Sequence, residues 1–288
     1  MNLNTVKTAA ILALLLALCV GIGELLGGGE GLAIGIVIGL VFTGGSYWFS
    51  DSIAIRAARG QPVSEAQMPE YYAVVRDLTT RAGMPMPRLF VTPDQQPNAF
   101  ATGRNPHHAA VAVTAGILHI CTWDELRGVL AHEISHVRNR DVLVASVAAT
   151  IAMAITLLAR FAAWGGLFFG MGGNGGDEGE NLLELLAMVI LAPLAAVLLQ
   201  LALSRSREYQ ADRSGAELIG DGRPLAQALS KLDSMSRRIP MPTARPEMAG
   251  LFIVNPLGAR RAHMAGLFSD HPPTDERIRR LLARDWSR

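Results

Sequence analysis

The sequence predicts a mostly α membrane protein in which four transmembrane helices carry a cytoplasmic α+β domain. Three observations lead there. Half of the 288 residues are hydrophobic while only 6% are aromatic, and the hydrophobic excess falls into four blocks. Arginines and lysines gather at one end of these blocks, acidic residues at the other. Between and after the blocks lie helix-period patterns, short strand-like runs and a helix with two histidines four residues apart.

The first block runs from Thr8 to about Gly23 and the second from Gly31 to about Phe49, a predicted transmembrane hairpin within residues 1–50. The third runs from Val142 to about Ala159 and the fourth from Leu182 to about Leu203, a second hairpin within residues 142–203. Each approaches the roughly 20 residues that span a bilayer as a helix, the first falling slightly short. Four runs almost free of charge argue against buried helices of a soluble protein.

The flanks set the orientation. Glu24 to Glu30 and Met171 to Asn181 contain no Lys or Arg but carry Glu24, Glu30, Asp177, Glu178 and Glu180. Lys7, Arg56, Arg59, Arg138, Arg140, Arg205 and Arg207 mark the opposite ends. The positive-inside rule therefore places both termini and the central segment in the cytoplasm. Arg160 follows the third run on the outer side, where it would snorkel to the headgroups beside Phe161 and Trp164.

No small-x-small cleavage site follows the first run, and Leu18 is too bulky before Cys19 for a lipoprotein signal, so the N-terminus reads as an uncleaved anchor. Cys19 falls in a predicted span and Cys121 in the cytoplasmic part, which predicts two unpaired thiols. Net charge is +1, and no basic cluster with interleaved aromatics appears, so a nucleic-acid partner is not indicated.

Residues 51–141 read as a cytoplasmic helix, a small sheet and a second helix. Glu65 to Arg81 is amphipathic and ends at Met84-Pro85-Met86-Pro87. Leu89 to Val91, Asn98 to Ala101 and Ala109 to Val113 read as strands separated by Pro, Asn and Gly turns. Ala109 to Val113 is apolar without alternation, which fits either a core strand or an edge that could pair with an extended peptide. Thr122-Trp123-Asp124-Glu125 is a capping-box signature. Leu126, Val129, Leu130, Ile134 and Val137 then recur at helical spacing, and this helix is expected to lead directly into the third span.

His132-Glu133-Ile134-Ser135-His136 lies within it. Positions i and i+4 stack about 6 Å apart along a helix, so the two imidazoles can converge on one metal ion. Glu133 can then reach a water at that ion. Residues 204–288 read as a helical part. It opens on Ser204-Arg205-Ser206-Arg207-Glu208-Tyr209-Gln210-Ala211-Asp212, another i,i+4 carboxylate pair. Glu208 could be a third ligand, with Asp212 accepting from the outer nitrogen of a ligand histidine. The other reading is a solvated charge run held by i,i+4 pairs. Pro224 opens a further helix to about Arg237, Ile239 to Gly250 is a proline-rich loop, and a last helix starts near Pro272. His107, His108, His119 and His263 lack ligand spacing and read as ordinary loop or surface residues.

Four motifs in order resemble membrane zinc metallopeptidases of the HtpX type, relatives of the CAAX prenyl proteases. They are Asn98-Ala99-Phe100-Ala101-Thr102-Gly103, His132 to His136, Ser204 to Asp212, and His271-Pro272-Pro273-Thr274-Asp275-Glu276-Arg277-Ile278. The resemblance covers nearly the whole chain. It implies a gluzincin-like zinc protease domain in a bacterial inner membrane, with one zinc per chain on His132, His136 and Glu208. It implies Glu133 as catalytic base and His271 as a donor to the developing oxyanion. Asn98 is implied to hold the substrate or the edge strand.

The implied partners are the lipid bilayer and polypeptide substrates, either cytoplasmic segments of membrane proteins or misfolded chains. A quality-control or stress role rests on resemblance alone, and oligomeric state is not indicated. A zinc site of this kind lowers the pKa of a water towards ~7. Glu133 would take the proton as the peptide carbonyl is attacked and pass it to the leaving amine. Two alternatives stand beside this reading, a CAAX-type prenyl-protein endoprotease and a catalytically idle membrane scaffold. An intact Glu133 argues against the scaffold, and four spans rather than more argue against the CAAX type.

Overall fold

A computed structural model describes residues 3–153, 205–236, 238–239, 250–254 and 272–284. The first helix, α1 (Leu3–Ala57), is broken at Gly28, where φ is 55° and ψ −138°. This conformation suits a residue without a Cβ, and the chain folds back on itself there. A Cβ on Gly31 would lie 2.0 Å from the Gly23 carbonyl oxygen, so only hydrogen fits where the two arms touch. Such backbone contact through small residues is how apolar helices associate when no hydrophobic force drives them together. The first two predicted blocks thus form a helical hairpin.

The arm Gly28–Ala57 has 30 residues and a mean hydropathy of 1.8, and among the described residues it alone is long and apolar enough to cross a membrane. Ile34, Val37, Leu40 and Val41 on it are exposed. Thr8–Gly21 and Asp141–Met153 are shorter apolar helices. The arm continues beyond the expected end near Phe49, because Ala54, Ile55 and Ala58 bury themselves against the sheet.

That sheet has four strands, β1 (Gln61–Pro62), β2 (Arg88–Thr92), β3 (Ala99–Gly103) and β4 (Ala109–Thr114), in the order β1-β2-β4-β3. β2 and β4 are parallel, while β1 and β3 pair antiparallel with their neighbours. The three expected strands are present, but β4 lies inside the sheet and is not an edge. Its residues are buried on both faces. Val111 and Val113 face one hydrophobic core, while Ala110 and Ala112 face another with Phe100 and the end of α1. A strand covered on both sides loses the apolar–polar alternation of a half-exposed one. The edge on this side is β3.

Helix α2 (Pro69–Ala82) starts later than the expected Glu65, because Ser64 N–H donates to the Gln67 side chain at 2.8 Å and makes a separate turn first. It ends at Gly83 in the left-handed conformation, and buries Tyr71, Val75 and Leu78 against the sheet. A short helix α3 (Ala115–Ile120), not expected from the sequence, leads to α4 (Trp123–Arg138), the helix with the two spaced histidines. Both capping-box bonds between Thr122 and Glu125 are made, and Lys231 adds a 2.7 Å ion pair to Glu125. Val129, Leu130 and Ile134 are fully buried, each contributing about 1.5–3 kcal/mol.

The expected direct passage from this helix into the third span is not what forms. α4 stops at Arg138, Asn139 caps it, and Arg140 takes φ 61°, so α5 (Asp141–Met153) starts as a separate helix. Val144, Val147, Ala148 and Ile151 of α5 pack with Ile11 and Leu15 of α1. The rest of the third block and all of the fourth, with Arg160, lie outside the described residues. Further on, α6 (Arg205–Ile219), α7 (Arg223–Ser236) and α8 (Thr274–Leu282) follow. α4 sits at the centre, packed against α2, β3, α6 and α7. The free thiols Cys19 and Cys121 are unpaired, as expected.

Candidate metal centre

His132 and His136 point the same way from α4, their Nε2 atoms 3.1 Å apart. Glu208 comes from α6 to meet both, Oε2 at 3.6 Å from His132 Nε2 and Oε1 at 3.4 Å from His136 Nε2. The helices can approach this closely because Gly215 lies at their crossing. A Cβ there would be 2.9 Å from the His132 backbone nitrogen. Glu208 and Asp212 are both buried, so they do not form the solvated charge run, and Glu208 stands where it could hold an ion with the two histidines.

Each imidazole has a carboxylate behind it. Asp212 Oδ1 lies 2.9 Å from His132 Nδ1, and Asp141 Oδ2 lies 3.3 Å from His136 Nδ1. With Nδ1–H donating outward, both Nε2 lone pairs face the centre. Arg277, only 2% exposed, closes the arrangement with two hydrogen bonds to Asp212 and one to the Ile253 carbonyl. Burial alone would raise the Asp212 carboxyl, but Arg277 and His132 outweigh it and hold the group at about 2.

Glu133 lies on the same turn, 3% exposed, with Oε2 accepting from the Ala101 N–H of β3 at 2.9 Å. Burial pushes its carboxyl above the ordinary range, against the pull of the two imidazoles. Glu133, the histidines, Glu208 and Arg207 line one cavity of about 40 Å³, with Leu251 and Phe252 on its wall. Those wall residues belong to a segment docked on β3. Ile253 N–H donates to the Ala99 carbonyl at 3.2 Å, and Phe252 meets Phe100 edge to face at 5.2 Å.

Asn98 is fully buried and turned to that segment, not to the cavity. Its Nδ2 donates to the Val254 carbonyl at 2.8 Å. His271 lies outside the described residues, as does His263. His107 and His108 sit in an exposed turn and His119 is exposed on α3, all three at the surface as expected. Sequence reasoning missed Asp141 and Arg277. The first falls five residues after His136, and the second stands inside the quoted His271–Ile278 motif. The Ala101 N–H had no side-chain signal at all.

Residues 65–285 match peptidase family M48. The chain belongs to this family. It is 53% identical over 277 residues to a protease HtpX homolog of Syntrophobacter fumaroxidans, covering 96% of this chain and 97% of that one. It is 51% identical over 279 residues to one of Syntrophotalea carbinolica, covering 97% and 98%. The crystal structure of S. mikatae Ste24p shares the fold, with a TM-score of 0.52 at 19% identity, over 96% of this chain and 64% of that chain, so the present chain spans just under two thirds of it.

M48 peptidases are metalloproteases, and the side chains here suit a metal ion. One ligand atom each from His132, His136 and Glu208 lies within 4.8 Å of the others. Tetrahedral ligands at zinc distances sit roughly 3.3 Å from one another, close to the spacings seen. The field agrees. Although burial opposes charge on His136, Glu208 and Asp141 outweigh it and push its pKa up to about 10, so these carboxylates favour a cation in this place.

Proposed function

We propose that the M48 peptidase is a zinc-dependent endopeptidase anchored in a bacterial inner membrane. The observation that supports it most is the convergence of His132, His136 and Glu208 with Glu133 in one cavity. His132, His136 and Glu208 would hold one zinc ion per chain. When bound, the ion supplies Lewis acidity and makes a water acidic enough to deprotonate near neutral pH.

Glu133 receives the proton as water attacks the peptide carbonyl and returns it to the departing amine. Its raised pKa suits a group that must both take and give a proton. Asp212 and Asp141 fix the two imidazoles so that their Nε2 atoms would hold the ion, and Arg277 keeps Asp212 ionised. His271 is proposed as oxyanion donor on resemblance. Asn98 acts by holding Val254 and so the wall of the cleft.

The proposed organisation is a transmembrane hairpin in residues 1–50 and a second in 142–203, with 51–141 and 204–288 forming the peptidase domain in the cytoplasm. The exposed apolar face of Gly28–Ala57 and the one-sided arginines support it. Substrates would be cytoplasmic segments of membrane proteins or misfolded chains, in membrane protein quality control.

The test is metal analysis of the detergent-purified full chain with a proteolysis assay on unfolded casein. One zinc per chain and cleavage abolished by chelator and restored by zinc are expected. Metal-free protein that cleaves casein equally well would refute the reading.

A further inference from the structure

Two guanidinium groups lie at the metal centre, and they differ in one respect. Every nitrogen of Arg277 has an acceptor, since Nε and Nη2 serve Asp212 and Nη1 serves the Ile253 carbonyl. Arg207 immediately precedes Glu208 on α6 and lines the cavity that holds Glu133. Its Nη1 is shielded from solvent yet has no hydrogen-bond acceptor among the described residues.

A buried charged donor without an acceptor is costly, and native structures rarely keep one without a reason. Nearby carboxylates do not supply the acceptor. Asp141 and Glu208 act on Arg207 through their field, while Asp141 Oδ2 faces His136 and both Glu208 oxygens face the histidine pair. Arg207 and Glu133 both line the cavity of about 40 Å³, which has room for little more than the atoms of one reacting group. Val142, Ala145, Leu251 and Phe252 give part of its wall an apolar character, and a charged donor is stronger there than in bulk water.

We propose that Arg207 is a catalytic residue whose Nη1 donates to the carbonyl oxygen of the peptide bond under attack as that oxygen becomes anionic. The nucleophile is water. As its oxygen bonds to the carbonyl carbon, the π electrons move onto the carbonyl oxygen, and Glu133 holds the proton removed. When the C–N bond breaks, the electron pair returns and the proton leaves with the amine. A guanidinium stays protonated throughout and so stabilises the charge without taking part in the proton transfers. It would act beside His271, which resemblance alone suggests.

This rests on the peptidase reading, which chelator-sensitive cleavage by the wild-type chain establishes without reference to Arg207. The experiment compares full-length wild type, Arg207→Met and Arg207→Lys in detergent. Zinc content, kcat, KM, and affinities for a phosphinic peptide and for a planar hydroxamate are measured. The phosphinate is a tetrahedral anion and the hydroxamate is not.

Arg207→Met should keep one zinc per chain and lose about 10²–10³-fold in kcat with KM little changed. Its phosphinate affinity should fall in parallel while hydroxamate affinity holds. Arg207→Lys should recover at least about tenfold of the lost kcat, since it keeps the charge. If Arg207→Met fails to fold, the lysine variant decides against wild type by the same split between the two inhibitors. Lost zinc, an equal loss for both inhibitors, or an unchanged kcat would show Arg207 to be a support of α6, and would overturn the inference.

Discussion

Arg277 holds Asp212 by both carboxylate oxygens, at 2.8 and 2.7 Å, while Asp212 Oδ1 stands 2.9 Å from His132 Nδ1. A cation, an anion and an imidazole thus form one buried line ending at the candidate metal position. Removing the cation would leave a buried carboxylate unpaired, which typically costs about 3–5 kcal/mol. Arg277→Met should therefore lower thermal stability in detergent by that order and weaken zinc about 10–100-fold. Arg277→Lys should restore little, because an ammonium cannot grip two oxygens in a plane. Full zinc affinity in Arg277→Met would break the line between Arg277 and the metal.

The same pair sets an acid limit. Asp212 is held at about 2 in the folded chain, below its ordinary 3.8. A depressed carboxylate adds stability that is present above its unfolded pKa and lost as pH falls through the folded one. Stability should thus decline from about pH 4 to about pH 2, by roughly 2 kcal/mol for this group. In Asp212→Asn, melting temperatures followed over that window should fall less steeply. An identical slope would assign the acid sensitivity to other carboxylates.

At Glu133 the chemistry separates from the structure. Glu133→Gln keeps the shape and one oxygen for the Ala101 N–H but cannot take a proton. Zinc should remain stoichiometric while casein cleavage falls by about 10²–10⁴ or more. Loss of zinc in this variant would instead make Glu133 a support of the metal site.

Glu208 is the third proposed ligand, reaching both imidazoles from α6. Glu208→Ala should lose zinc and activity together in titrations against a metal indicator. Full retention of both would require another carboxylate. Glu217 is not that group, since it is paired with Arg213 at 2.8 Å on the outer face of α6.

Topology is open to direct measurement. Reporter fusions after Gly28 and Gly175 should signal the outer compartment, and a fusion after Arg288 the cytoplasm. A cytoplasmic signal from the Gly175 fusion would remove the four-span proposal and relocate the active site.

Much of this centre was legible because its main relationships are local. His132 and His136 are one helical turn apart, and the Thr122–Glu125 box announces the helix that carries them. Glu208 and Asp212 were found as a second i,i+4 pair. Asp141 was not, because its place behind His136 depends on the chain turning at Asn139 and Arg140, and the left-handed φ of an arginine has no sequence signature. Arg277 pairs with a residue 65 positions earlier, a distance at which only the folded chain relates the two. The edge role of β3 was hidden for another reason. Burial on both faces removes alternation from β4, and a covering segment near Ile253 does the same for β3, so the two look alike in one dimension.

Gly215 lies away from the candidate ligand atoms, yet it sets how near the two helices that carry them can come. With α6 and α4 in backbone contact there, the distance from Glu208 to the two histidines is fixed by how closely the helices lie, and not by side-chain rotamers alone. A methyl group at this position would push the two helices apart and draw Glu208 away from His132 and His136.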